Sequence, residues 1–237
     1  MTWQDFFATQ DIPSIRKWIA YTRSLGVAVY PSDQDVFRAF DLTPLEQVRV
    51  VILGQDPYFN GEADGLAFSA SRAKRLPLSL QRIVAEVKDD GFEVASTWRG
   101  SLDAWAKQGV LLLNTALTVQ HGTPGVYMQN WSRFTKECIA YLATRRHPHF
   151  ILWGSAALAT FRDAVKLHLD SNLILGQQCH LEQAGVRYDT DLPTFSYSAH
   201  PAARSATPNP LKGSRPFSKA NEVLRWRRRG DVDWSLR

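Results

Sequence analysis

The chain has 237 residues, 44% of them hydrophobic, with a formal net charge of +5 and a pI near 9.3. That length suits a single domain over residues 1–237 with a sizeable core, and with no apolar run near about 18 residues and no signal-like start in Met1-Thr2-Trp3-Gln4-Asp5, a soluble, cytoplasmic, monomeric protein is expected. Two cysteines, Cys138 and Cys179, are too few for a four-thiolate metal or iron–sulfur site, so reduced thiols and no metal are expected.

Ile12, Ile15, Trp18, Ile19 and Thr22 recur at helical spacing and predict an amphipathic helix ending near Gly26. Val48 to Leu53 is short, β-branched and apolar, which predicts a strand buried on both faces of a parallel sheet. It stops in Gly54-Gln55-Asp56-Pro57-Tyr58, where Pro57 fixes its own φ and pushes Asp56 toward an extended conformation. Taken alone, that Asp-Pro pair is more readily read as a plain β-turn with Asp as turn former. Leu80, Ile83, Val84 and Val87 predict a second helix behind Ser79 as N-cap, stopped by Asp89-Asp90-Gly91.

Val110 to Leu113 predicts a second buried strand ending in Asn114. Trp131, Phe134, Cys138 and Leu142 mark another helix, His149 to Trp153 a third strand ending in Gly154-Ser155, and Ala156 to Lys166 a helix. Of Leu173-Ile174-Leu175 and Thr194 to Ser198, the latter is taken as the fourth strand because it leads into His200-Pro201. A last helix is expected over about Pro216 to Arg228, with Phe217, Ala220 and Leu224 inward. The positive balance leans toward a polyanionic partner, while the run Arg225-Trp226-Arg227-Arg228-Arg229 reads as a solvated helix end, where cations suit the macrodipole.

Strands alternating with helices predict an α/β fold, three layers α/β/α around a central four-stranded parallel sheet. Ligands of such sheets bind beyond the carboxyl ends of the strands. Asp56, Asn114, Gly154-Ser155 and His200 each follow one predicted strand, so a carboxylate, an amide and an imidazole converge on one crevice.

The stretches GQDPY at 54–58, GLAFS at 65–69, LLLNTALTV at 111–119, LWGS at 152–155 and HP at 200–201 resemble, in order, the motifs of the uracil-DNA glycosylases, which remove uracil from DNA. The resemblance runs from about Trp3 to the closing DVDW at 231–234. It implies that Asp56 is the catalytic carboxylate, that His200 faces the uracil O2, that Phe68 stacks on the base and that Asn114 reads its edge. It also implies that Gln55 contacts the substrate and that Tyr58 fills the space of a thymine methyl. Pro77 and Ser79 would bind DNA phosphate, Gly154 and Ser155 the minor groove, with Arg204 and Ser205 in the intercalating loop. DNA is the implied partner, a DNA-mimicking inhibitor protein a further one. Competing readings are a glycosylase for another base and a DNA-binding accessory subunit.

Several positions depart from that family's usual pattern. Ala202 stands for a phosphate-binding serine, Arg204 for the intercalating leucine, and Phe59 and Asp64 for histidines. The segment between Ser155 and His200 is longer than usual, with the extra residues assigned to Gln177 to Asp191.

Overall fold

The computed structural model describes residues 2–166, 193–203 and 210–237. Four strands form the sheet: β2 (Val50–Gly54), β3 (Val110–Asn114), β5 (His149–Trp153) and β6 (Thr194–Ser198). They are all parallel and lie in the order β3-β2-β5-β6. Every residue of β2, β3 and β5 is buried, which explains their unbroken apolar runs. The first strand starts at Val50 instead of Val48, because Val48 still closes a short 3-10 turn and the Arg49 N–H bonds the Gly109 carbonyl. Leu173-Ile174-Leu175, Cys179 and the segment Gln177 to Asp191 lie outside the described residues.

Helices cover both faces of the sheet. Phe150 and Trp153 are three residues apart on β5 and so point to opposite faces. Phe150 meets Phe161 of α7 (Ser155–Lys166) at 4.7 Å, whereas Trp153 meets Phe217 of α8 (Pro216–Trp226) at 6.3 Å. The three-layer expectation therefore holds. The remaining longer helices are α2 (Ile12–Ser24), α4 (Leu78–Asp89) and α6 (Met128–Arg145). Among the described residues no helix is long and apolar enough to cross a membrane.

Two boundaries differ from expectation. Helix α4 begins at Leu78 with Pro77 as its extended cap residue, so Ser79 sits inside the first turn; its hydroxyl bonds Tyr58 instead of capping. Helix α8 stops at Trp226, two residues early, because Arg228 turns left-handed at φ 56° and the Arg229 N–H reaches back to the Leu224 carbonyl. That is a Schellman close made without glycine.

Three small pieces had no readable periodicity. Helix α1 (Trp3–Phe7) is held by rings, with Trp3 edge-on to Phe40 at 4.8 Å and Phe6 against Phe134 at 5.6 Å. Strands β1 (Val29–Tyr30) and β4 (Val119–Gln120) pair antiparallel and carry the segment that follows β4 toward the sheet's carboxyl end. The closing DVDW straps the fold: Trp234 is fully buried, its indole N–H donates to Asn221 Oδ1, and its carbonyl accepts from Trp105.

Candidate active site

The carboxyl ends of β2 and β3 are fastened together beyond the sheet. Gly54 pairs with Asn114, the Thr115 N–H donates to the Gly54 carbonyl at 2.9 Å, and the Gln55 carbonyl accepts from both the Ala116 N–H and the Thr115 hydroxyl, each at 2.9 Å. Asp56 leaves this zip with its backbone already fixed. Its Oδ2 accepts from the Gly125 N–H at 2.9 Å and from Gln55 Nε2 at 3.1 Å, while its buried Oδ1 meets no partner among the described residues. Burial pushes this carboxyl above its usual range, and the two hydrogen bonds pull the other way.

Asn114 is only 5% exposed, and its Oδ1 likewise has no partner among the described residues. A Cβ built on Gly54 would lie 2.3 Å from that oxygen and 3.3 Å from the Phe68 ring. Glycine is thus required here by close approach and not by backbone angle.

Phe68 has φ 64°, a conformation that costs an aromatic residue roughly 1–2 kcal/mol. The loop around it holds the angle. Asp64, 1% exposed, accepts from the hydroxyls of Ser69 and Ser71 at 2.7 Å each, from the Ser71 N–H at 3.0 Å and from the Leu66 N–H at 3.3 Å. From below, the Tyr58 hydroxyl donates to the Phe68 carbonyl at 3.3 Å and lies 2.8 Å from Ser79 Oγ. Burial drives the Tyr58 phenol well above its usual range, so it stays neutral. The Phe68 ring stands edge-on to Trp153 at 5.1 Å and 5.9 Å from the His200 ring.

His200 follows β6. Its Nδ1 accepts the Ala202 N–H at 3.0 Å, which places the proton of the neutral imidazole on Nε2. Burial lowers its proton affinity, and so favours that neutral form. Gly154, at φ 92°, donates to the Ser198 carbonyl at 2.9 Å, and a Cβ there would come within 2.9 Å of the His200 Cβ. Ser155 opens α7 beside it and is exposed.

The arrangement is therefore a carboxylate, an amide, a neutral imidazole and an aromatic face at the carboxyl ends of a parallel sheet. The model of the uracil DNA glycosylase superfamily matches residues 40–225. The chain belongs to that superfamily. It is 40% identical over 209 residues to the uracil-DNA glycosylase of Azobacteroides pseudotrichonymphae genomovar. CFP2, covering 87% of this chain and 83% of that protein. It is 38% identical over 245 residues to that of Coxiella burnetii (strain RSA 493 / Nine Mile phase I), covering 99% and 94%. The crystal structure of mimivirus uracil-DNA glycosylase shares the fold at TM-score 0.78 and 24% identity, covering 99% of this chain and 86% of that one. A variant of the mimivirus protein is known in complex with UGI.

Within this superfamily member, Gln55, Asp56, Tyr58, Phe68, Asn114 and His200 come together, with Ser79 bonded to Tyr58, Pro77 capping the helix that bears Ser79, and Gly154, followed by Ser155, passing close to His200. Arg204 and Ser205 lie outside the described residues. Two participants were missed. Gly125 holds Asp56 from a turn 69 residues away, and nothing local to it signals that contact. Asp64 stood out in the sequence only as a departure, yet it fastens the loop that bears Phe68.

Proposed function

We propose that this protein excises uracil from DNA by hydrolysing its N-glycosidic bond, leaving free uracil and an abasic site. The observation that carries the reading is the pairing, in one crevice, of a half-buried carboxylate with a histidine whose Nδ1 is occupied by a backbone N–H. Breaking the bond between C1′ and N1 leaves positive charge on the sugar and negative charge on uracil. Asp56 suits the first charge: Gly125 and Gln55 fix one oxygen and leave the other to face the sugar and orient water. His200, neutral with its proton on Nε2, suits the second by donating to the uracil O2. Water adds its hydroxyl to C1′, and its proton passes through solvent to uracil N1, so the step is a hydrolysis without cofactor.

Selection follows from shape and donor pattern. The Asn114 carbonyl accepts from uracil N3–H and its NH₂ donates to O4, whereas cytosine presents the reverse pattern. Phe68 stacks on the flipped base and Tyr58, packed under it, leaves no room for a methyl group. Flipping costs a few kcal/mol, offset by stacking and by phosphate contacts at the Pro77-Leu78-Ser79 and Gly154-Ser155 turns. The sequence resemblance adds Arg204 and Ser205 to that grip. The inhibitor complex of the mimivirus relative supports the further reading that a DNA-mimicking protein binds the same crevice.

The test is a single-uracil oligonucleotide incubated with the protein, treated with alkali and resolved on a gel. Cleavage at the uracil position is expected, with thymine and cytosine controls intact. Asp56→Asn keeps the shape, loses the charge, and should slow excision by about 10²–10³ while uracil-DNA binding survives. Absence of an alkali-labile site with the wild-type protein would overturn the reading.

A further inference from the structure

The opposite end of the sheet carries a second concentration of chemistry. Arg49 precedes β2, Gly109 precedes β3, and Arg146 and His147 precede β5, so these residues lie at the amino ends of five-residue strands, roughly 17 Å from the crevice. Arg227 and Arg229, from the run that closes α8, fold back onto this face. Those two arginines therefore depart from the solvated helix end that the run's composition suggested, while Arg225 and Arg228 of the same run are exposed as expected.

Much of this cluster fastens backbone. Arg49 donates to the carbonyls of Gln108, Arg229, Gly230 and Asp231, Arg146 to that of Glu46, and Arg229 to that of Arg146 at 2.9 Å. Carbonyls satisfy N–H groups but do not neutralise charge. Asp231, the acid that acts on Arg49, is engaged with Arg225 at 3.4 Å. Burial first, and then the charges of Arg146 and Arg49, make Arg229 easier to deprotonate than usual. Arg146 Nε and Arg229 Nη1 are buried without an acceptor among the described residues, which is unfavourable for a charged group.

These same side chains border a pocket of about 450 Å³, lined by Arg49, Lys107, Arg146 and Arg229 against the single carboxylate of Glu46, with Gln47 and Gln108 beside them. Four cations against one anion leave a net charge of +3 on the lining. We propose that this pocket is an anion site for phosphate groups, built to take a ligand bearing at least two phosphoryl charges. Planar guanidinium groups match phosphate oxygens in pairs, and the depression opens to solvent, so a diphosphate can enter it. The phosphates could come from a free di- or triphosphate or from the backbone of a nucleic-acid segment away from the crevice.

The probe is pyrophosphate, added to the full-length protein against sodium chloride of matched ionic strength. Pyrophosphate at about a hundred times its Kd should raise Tm by roughly 5 °C or more and move the amide resonances of Gly109 and Gly230. Arg146→Gln should weaken binding at least tenfold, and the exposed Lys107→Gln about threefold, the latter serving if Arg146→Gln does not fold. Excision of uracil should stay unchanged in both. A uracil-free oligothymidylate that displaces pyrophosphate from the Gly109 and Gly230 signals identifies a nucleic-acid backbone as the source; one that leaves them in place identifies a free phosphate compound. The proposal is overturned if chloride gives the same Tm shift, if only crevice amides such as Gly125 respond, or if the folded variants keep full affinity.

Discussion

On the β2–β3 side of the crevice, Asp56 and Asn114 are positioned by segments far away in the chain, through Thr115, Ala116 and Gly125, and the amide of Asn114 sits in the space where Gly54 has no side chain. On the β5–β6 side, His200 is positioned by its own turn, through the Ala202 N–H, and by the left-handed Gly154 passing close to it. The first wall is over-determined and the second is local. Damage to the first should spread through several groups at once, whereas damage to the second should show mainly in how His200 titrates.

Of the two glycines that shape the walls, Gly54→Ala should therefore have the larger effect. Its Cβ would lie 2.3 Å from Asn114 Oδ1 and 3.1 Å from Ala67 Cβ, inside a fully buried strand that cannot yield. Displacing the amide by about 1 Å is expected to lower kcat/KM for uracil excision roughly 10²-fold. Gly154→Ala strains the backbone and crowds only His200, so a loss near tenfold, with about 1 kcal/mol of stability, is expected. If Gly154→Ala proves the more damaging in parallel kinetics, the contrast between the walls is wrong. Asp64→Ala comes next. It strands the hydroxyls of Ser69 and Ser71 and the N–H groups of Leu66 and Ser71, and should cost about 3 kcal/mol in urea unfolding, with KM rising more than kcat falls as the Phe68 loop loosens.

The sheet was legible in the sequence because a strand buried on both faces is written as an unbroken apolar run, as in Val50–Leu53 and Val110–Leu113. Its carboxyl ends were legible too, since Asp56, Asn114 and Gly154 each follow such a run, while the mixed strand before His200 was legible only through the His200-Pro201 pair it leads into. The contacts that set their geometry were not. Gly125 reaches Asp56 from the turn after β4, which pairs with β1, and two-residue strands carry no period. Ser79 reads locally as a cap, but the buried Tyr58 hydroxyl claims it. The run ending in Arg229 reads as solvated because composition cannot show that a left-handed Arg228 turns it back onto the sheet.

The acid limb of the pH–rate profile sharpens the comparison. Burial lowers His200 below its usual 6.5 and raises Asp56 above its usual 3.8, and the proposed chemistry needs both without their protons. Activity should be full at neutral pH and fall as pH drops through the window between those two values, with a slope approaching two protons. His200→Gln should lower the plateau about tenfold and leave a one-proton limb belonging to Asp56. A two-proton limb in that variant would assign the second group elsewhere.

The smallest effect on uracil excision itself is expected at Tyr58, which touches the first wall without being part of its backbone zip. Its hydroxyl meets the Phe68 carbonyl and Ser79 Oγ. If Tyr58 rejects thymine by occupying the methyl's space, volume should matter and the hydroxyl should not. One methyl group in a closed pocket is worth about 1–3 kcal/mol, so Tyr58→Ala should narrow the preference for uracil over thymine by no more than about 200-fold and release thymine slowly. Tyr58→Phe keeps the ring and should keep the preference, losing only about 1 kcal/mol of stability with the hydrogen bond. Competition assays on matched uracil and thymine oligonucleotides distinguish the two. Thymine release by Tyr58→Phe as fast as by Tyr58→Ala would show that the hydroxyl, by holding Phe68 in its left-handed turn, sets the selectivity.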